Sequence, residues 1–161
     1  MADPTFRFTF AHPAHFIALG GGIGLMPKAP GTFGTLLGFP LWWLSLMLQP
    51  AWAWALVAGA FLLGIWACAR TGKALGVADH GGMVWDEVVA MWAVLLLTPA
   101  GWAWWCGAFV LFRLFDIWKP FPVGYFDRKV KGGFGVMLDD ALAAVYAVAA
   151  LRLIELFIKG G

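Results

Sequence analysis

The sequence predicts an all-α fold, a polytopic membrane helical bundle of about five helices whose cytoplasmic loops form the functional site. Three observations predict it. Hydrophobic residues make up 62% of the 161-residue chain and charged residues only 12%, about half the roughly 25% charged share of a soluble domain. The apolar residues gather into long blocks instead of spreading as an amphipathic pattern, as membrane spans require. Two of those blocks lack charge and are broken near the middle by turn-forming residues, the pattern of a helical hairpin.

The chain reads as one domain over residues 1–161, with a polar, glycine-rich leading loop at 1–34 and a helical bundle at 35–158. MADPTFRFTFAHPAHF has no basic stretch followed by an apolar core and a small-residue cleavage site, so no cleavable signal is expected. The apolar, glycine-rich stretch 16–26 fits an interfacial or a re-entrant element. No charge occurs between Lys28 and Arg70, and Gln49, Pro50, Trp52 and Trp54 interrupt the span. Helices are expected at 35–48 and 53–69, the first short of the roughly 20 residues a full crossing needs. The same pattern returns between Glu87 and Arg113, broken at Thr98, Pro99, Ala100 and Gly101, and predicts helices at 84–97 and 102–118. A fifth, at 138–158, carries Ala141, Ala143, Ala144 and Ala147, small residues that let membrane helices approach closely.

Both hairpin tips are rich in tryptophan, including Trp52 and Trp54 at one and Trp102, Trp104 and Trp105 at the other, rings that favour the headgroup layer. An even number of crossings separates the polar segments 1–34, 70–87 and 113–140, so all three share one side. They hold Lys28, Arg70, Lys73, Lys119, Arg128, Lys129 and Lys131, and basic short loops stay in the cytoplasm. A net charge of +2 is too small and scattered for a nucleic-acid partner. Cys68 and Cys106 stand alone in apolar stretches, which suits small packing groups and not a disulfide or zinc framework.

This topology brings five carboxylates to one membrane face: Asp86 and Glu87 opening the third helix, Asp116 near the end of the fourth, and Asp139 and Asp140 opening the fifth. Acids beside hydrocarbon are costly unless paired or metal-bound, and an all-oxygen set suits Mg²⁺, which takes carboxylates together with substrate phosphate oxygens. The alternative is that Asp86, Asp139 and Asp140 serve as caps and dipole partners at helix starts. Arg113 and Lys119 stand three residues on either side of Asp116, so the trio shares a face. One reading is an ion-pair ladder with snorkelling stems; the other has Asp116 at a metal, with Arg113 and Lys119 on phosphate oxygens.

GGGIGLMPKAPGTFGT, at 20–35, lacks the Gly-Lys-Ser/Thr of a Walker A loop. Its glycines can still offer backbone N–H groups to an anion, with Lys28 as a point charge and Thr32 and Thr35 as hydroxyl donors; a flexible loop with Thr32 or Thr35 as helix cap is the competing reading. A second glycine loop, Lys131-Gly132-Gly133-Phe134-Gly135, leads to Asp139 and Asp140. His80 is a candidate proton donor, against the simpler reading of a solvated loop histidine.

Four blocks together carry a resemblance: PKAPGTFGT at 27–35, DHGGMVWDEVVAMW at 79–92, FRLFDIWKPFP at 112–122 and FDRKVKGGFGVMLDD at 126–140. In order and spacing they resemble the phosphatidylglycerophosphatase A family. The resemblance implies a Mg²⁺-dependent phosphatase of the bacterial cytoplasmic (inner) membrane that converts phosphatidylglycerophosphate to phosphatidylglycerol and inorganic phosphate. It implies an active site containing Asp86, Glu87, Asp116, Asp139 and Asp140. The mechanism favoured beside it has Lys28, Arg113, Lys119 and Lys131 hold phosphate oxygens, with a metal-oriented water or an aspartyl-phosphate carrying the reaction. Two alternatives are a CDP-alcohol phosphotransferase, whose DGxxAR…GxxxDxxxD spacing is missing here, and a small ion-coupled carrier, for which charges near the membrane midplane are expected.

Overall fold

A computed structural model describes residues 3–160, and among these the secondary structure is entirely helical. Two short helices, α1 (Phe6–Phe10) and α2 (Pro13–Ala18), and a 3-10 turn at Gly20–Leu25 precede the bundle. The leading segment therefore folds where the sequence reading had a loop. Side chains start both helices: the Thr5 hydroxyl accepts from the Phe8 amide at 3.2 Å, and His12 Nδ1 accepts from the Ala14 amide at 3.0 Å. Each satisfies an amide that a helix start leaves without a partner.

Five longer helices follow: α3 (Pro30–Ser45), α4 (Pro50–Leu75), α5 (Trp85–Leu96), α6 (Trp102–Trp118) and α8 (Gly133–Gly160), with the short α7 (Val123–Lys129) between the last two. Proline opens α3 and α4, where its missing N–H costs nothing and its fixed φ suits the first turn. For this reason α3 begins at Pro30, ahead of the expected residue 35. Gly76 in the left-handed region ends α4, and its neighbour Val77 donates to the Gly72 carbonyl at 3.0 Å.

Contacts fix the direction of each helix. Trp85 at the start of α5 donates through Nε1 to Ala60 O of α4 at 3.0 Å. Trp92, one helical stretch later, donates to Ser45 Oγ at the end of α3, also at 3.0 Å. Arg152 of α8 donates to Leu97 O at the end of α5 at 2.8 Å, while Asp140 of α8 lies beside Asp86 at the start of α5. Helices α3, α5 and α8 thus run one way, and α4 and α6 return between them. The alternation places every helix end that carries Asp86, Glu87, Asp116, Asp139 and Asp140 at one end of the bundle.

Helices α4 and α8 are long and apolar enough to cross a membrane, with 26 and 28 residues. The others, at 16, 12 and 17 residues, fall short of the roughly 20 that a full crossing takes. Helix α5 stops early because Thr98 turns its hydroxyl back onto Val94 O at 2.8 Å ahead of Pro99. The outward face is apolar: Leu62, Val110, Ile117, Val145 and Phe157 are all exposed, a surface that water disfavours and lipid tolerates. Phe112, Met91, Leu95 and Met137 fill the interior.

Candidate active site

Helix α3 can reach the acids only because its facing residues lack side chains. A Cβ at Gly31 would fall on the Glu87 carboxylate, and one at Gly34 would lie 2.6 Å from Val84 Cβ. These glycines repeat at helical spacing along one face, so α3 and α5 pack backbone to backbone and deliver Thr35 to the acidic end. Thr35 is buried and donates to Gly31 O at 2.9 Å.

Arg113 is the hub on α6. Its Nη1 lies 2.5 Å from Asp116 Oδ2, 3.4 Å from Glu87 Oε1 and 3.5 Å from Thr35 Oγ1. The guanidinium therefore ties three helices together and is engaged with acids, where one sequence reading had it facing phosphate. Lys119, the residue that ends α6, holds Asp139 of α8 in an ion pair. It does so from a left-handed conformation, φ 46°, one that a non-glycine residue holds only when its surroundings compensate; its amide donates to Phe115 O at 2.9 Å. Asp139 also accepts from the Asp140 amide at 3.1 Å.

Some of the acids' oxygens are not reached by these cations. Asp86, Glu87 and Asp140 each offer a carboxylate oxygen, and the three oxygens lie within 4.8 Å of one another. Asp86 Oδ1, Glu87 Oε2 and Asp140 Oδ2 are buried and have no hydrogen-bond partner among the described residues. The two cations that the described contacts place within the five-carboxylate cluster, Arg113 and Lys119, are already bonded to acids. Buried like charges at such separation repel strongly unless a cation lies between them. The donor set is all oxygen and suits a hard divalent ion.

The other candidates are placed as follows. Lys28 is exposed and makes no hydrogen bond or ion pair among the described residues; it stands just before the first turn of α3, and Thr32 lies half-buried in that turn. Lys131 lines a separate polar pocket of about 240 Å³ with Asp79 and Gly132. His80 faces its own loop: Nδ1 accepts from the Gly82 amide at 3.0 Å, and Nε2 lies 3.8 Å from Asp3. The structure thus gathers the five acids, Thr35, Arg113 and Lys119, and turns His80 toward the amino-terminal segment.

The phosphatidylglycerophosphatase A family pattern matches residues 16–155. The chain belongs to the phosphatidylglycerophosphatase A family. It is 41% identical over 149 residues to phosphatidylglycerophosphatase A of Escherichia coli strain K12, covering 92% of this chain and 87% of that protein. With the Haemophilus influenzae phosphatidylglycerophosphatase A it shares 44% identity over 155 residues, 95% of each chain. A Bacteroides thetaiotaomicron protein that carries a provisional phosphatidylinositol-3-phosphatase name is 42% identical over 139 residues, covering 81% of this chain and 86% of that protein. No solved structure matches.

The family's match spans all of the gathered residues. The sequence places Gly31 and Gly34 in an anion-binding loop and not at a helix contact, although their spacing with Gly38 is a usable sign of close packing. The link from Arg113 to Glu87 left no sign, because it depends on how α5 and α6 lie against each other.

Proposed function

We propose that this chain is a Mg²⁺-dependent lipid phosphatase that hydrolyses phosphatidylglycerophosphate to phosphatidylglycerol and inorganic phosphate, in phospholipid synthesis at the cytoplasmic face of the bacterial inner membrane. One observation carries the reading: Asp86, Glu87 and Asp140 bring one carboxylate oxygen each within 4.8 Å of one another, each keeps a buried oxygen without a hydrogen-bond partner among the described residues, and Arg113 and Lys119 beside them are already bonded to acids. Membership of the family supplies the substrate.

In this reading Asp86, Glu87 and Asp140 would hold the ion through carboxylate oxygens. Mg²⁺ held there would supply positive charge against the phosphoryl oxygens. Arg113 orients Glu87 and Asp116 by bonding both, and Thr35 keeps the guanidinium in place from α3. Lys119 fixes Asp139, which in turn accepts from the amide of Asp140 and sets that residue's backbone. Lys28, exposed and without an acid partner among the described residues, is a cation available to meet substrate phosphate as it arrives from solvent. All of these groups except Lys28 are preorganised on helices or, for Lys119, at a helix cap, which costs little reorganisation during the reaction.

The test is phosphate release from phosphatidylglycerophosphate in mixed micelles by the purified protein. Activity should vanish on chelation and return with Mg²⁺; no release at saturating Mg²⁺ overturns the reading. Membrane orientation is checked separately. Gln49→Cys and Pro99→Cys should label from the periplasmic side and Gly81→Cys should not, because every lysine and arginine except Arg152 and Lys159 belongs to the segments placed in the cytoplasm.

A further inference from the structure

A cavity of about 760 Å³ opens between α4, α5 and α8. Asp86 and Met137 line it at the acidic end, and Trp54, Leu97 and Ala149 line it at the other. Asp86 is its only charged or polar lining side chain among the described residues. The groove therefore joins the carboxylate cluster without a break and is apolar everywhere else.

We propose that this groove holds one acyl chain of the phospholipid substrate while the phosphate sits at the carboxylates; the assignment rests on the phosphatase reading above. Length is the first argument. From Asp86 to Leu97, α5 rises about 16 Å at 1.5 Å per residue, and one leaflet of a bilayer offers about 15 Å of hydrocarbon, half of the ~30 Å core. Polarity is the second. A soluble ligand needs several placed polar groups to orient it, and this wall has one, located where a lipid's phosphate would be. Shape is the third. Alanines at 58, 90, 93 and 144 make the room, and a flexible hydrocarbon chain fits such a narrow slot.

The groove would then help position the substrate. A chain seated along α5 fixes where the headgroup can reach and favours a lipid phosphate over a soluble one with the same ester.

The experiment compares palmitoyl and hexanoyl forms of phosphatidylglycerophosphate in the same micelles, with wild-type protein, Ala93→Phe and Ala58→Phe. Ala58 is exposed on α4, so its substitution keeps the test available if Ala93→Phe fails to fold. For the palmitoyl substrate kcat/KM should fall about tenfold or more, mostly through KM, and for the hexanoyl substrate less than about threefold. Equal losses for both lengths, or no loss for either, would remove the acyl chain from the groove while leaving the phosphatase intact. Wild-type protein inert toward both would overturn the phosphatase reading and the groove with it.

Discussion

Helices α5 and α8 lie side by side, and their two ends hold charge in opposite ways. At the far end, Arg152 donates to Glu155 at 2.7 Å and to Leu97 O at 2.8 Å, and Lys159 donates to Glu155 at 2.6 Å. One acid, half-buried beneath them, meets two exposed cations. In the cluster at the near end five acids meet Arg113 and Lys119; Asp86, Asp139 and Asp140 are buried, and three carboxylate oxygens have no partner among the described residues. The same pair of helices thus carries a set of charges that completes itself and another that leaves buried carboxylate oxygens without a partner among the described residues. Packing alone explains the first and not the second, because leaving a buried charged group without a partner costs several kcal/mol.

The largest effect is expected where the comparison is sharpest. Asp86→Asn, Glu87→Gln and Asp140→Asn keep side-chain size and remove the charge a hard ion needs. Each should lower phosphate release by about a hundredfold or more. Each should also abolish the stabilisation that Mg²⁺ gives the wild-type protein, about 2.7 kcal/mol at a hundred times the dissociation constant, read as a thermal midpoint with and without the ion. If all three keep near-normal turnover and still respond to Mg²⁺, the cluster is not a metal site and the two ends do not differ in kind.

Next comes Arg113, the residue that gives the near end such order as it has. Arg113→Ala leaves Glu87 and Asp116 buried without their cation, and breaking such a pair costs about 3–5 kcal/mol; poor folding in detergent is the expected outcome, measured by thermal midpoint. Arg113→Lys keeps the charge and loses the planar fork, so the protein should fold with reduced turnover. Wild-type stability for Arg113→Ala would mean that the acids are neutralised by something other than this guanidinium.

The sequence showed the near end only in part. Charge-free blocks with a break at Gln49-Pro50 and Thr98-Pro99 made the helix directions legible, and with them the gathering of Asp86, Glu87, Asp116, Asp139 and Asp140, because hairpin parity is a one-dimensional property. Spacing showed that Arg113 could meet Asp116. It could not show Arg113 meeting Glu87 or Lys119 meeting Asp139, since those contacts depend on rotation and offset between helices far apart in the chain. The leading segment was hidden for another reason: α1 and α2 are too short for periodicity to register, and they rest on local caps at Thr5 and His12 and on the Val84 amide donating to Ala18 O at 2.8 Å.

A smaller effect is expected at Lys28, which lies outside the self-paired set. Lys28→Ala should lower kcat/KM about tenfold, the loss of one charge-assisted contact of about 1.4 kcal/mol, and Lys28→Arg should restore part of it, since a point contact depends on charge more than on shape. Steady-state phosphate release decides, and wild-type kinetics for Lys28→Ala would return the loop before α3 to a structural role.

The smallest effect belongs to the far end. Glu155 bonds Arg152 and Lys159 where solvent is free to replace either partner, and exposed ion pairs contribute little. Glu155→Gln removes the charge but keeps an oxygen able to accept from both cations. Turnover should match wild type within error, because the near-end acids lie about 22 Å away along α8, beyond the roughly 8 Å over which physiological salt lets exposed charges interact. The thermal midpoint should be unchanged as well. Arg152→Ala is a harder trial, since Arg152 also donates to Leu97 O at the end of α5 and so joins the two helices. A midpoint shift there with turnover preserved would make the far end a fastener for the bundle. A fall in turnover with the midpoint preserved would show that the position of α8 is transmitted along its length to Asp139 and Asp140, and the division into a self-sufficient end and a cation-dependent end would then fail.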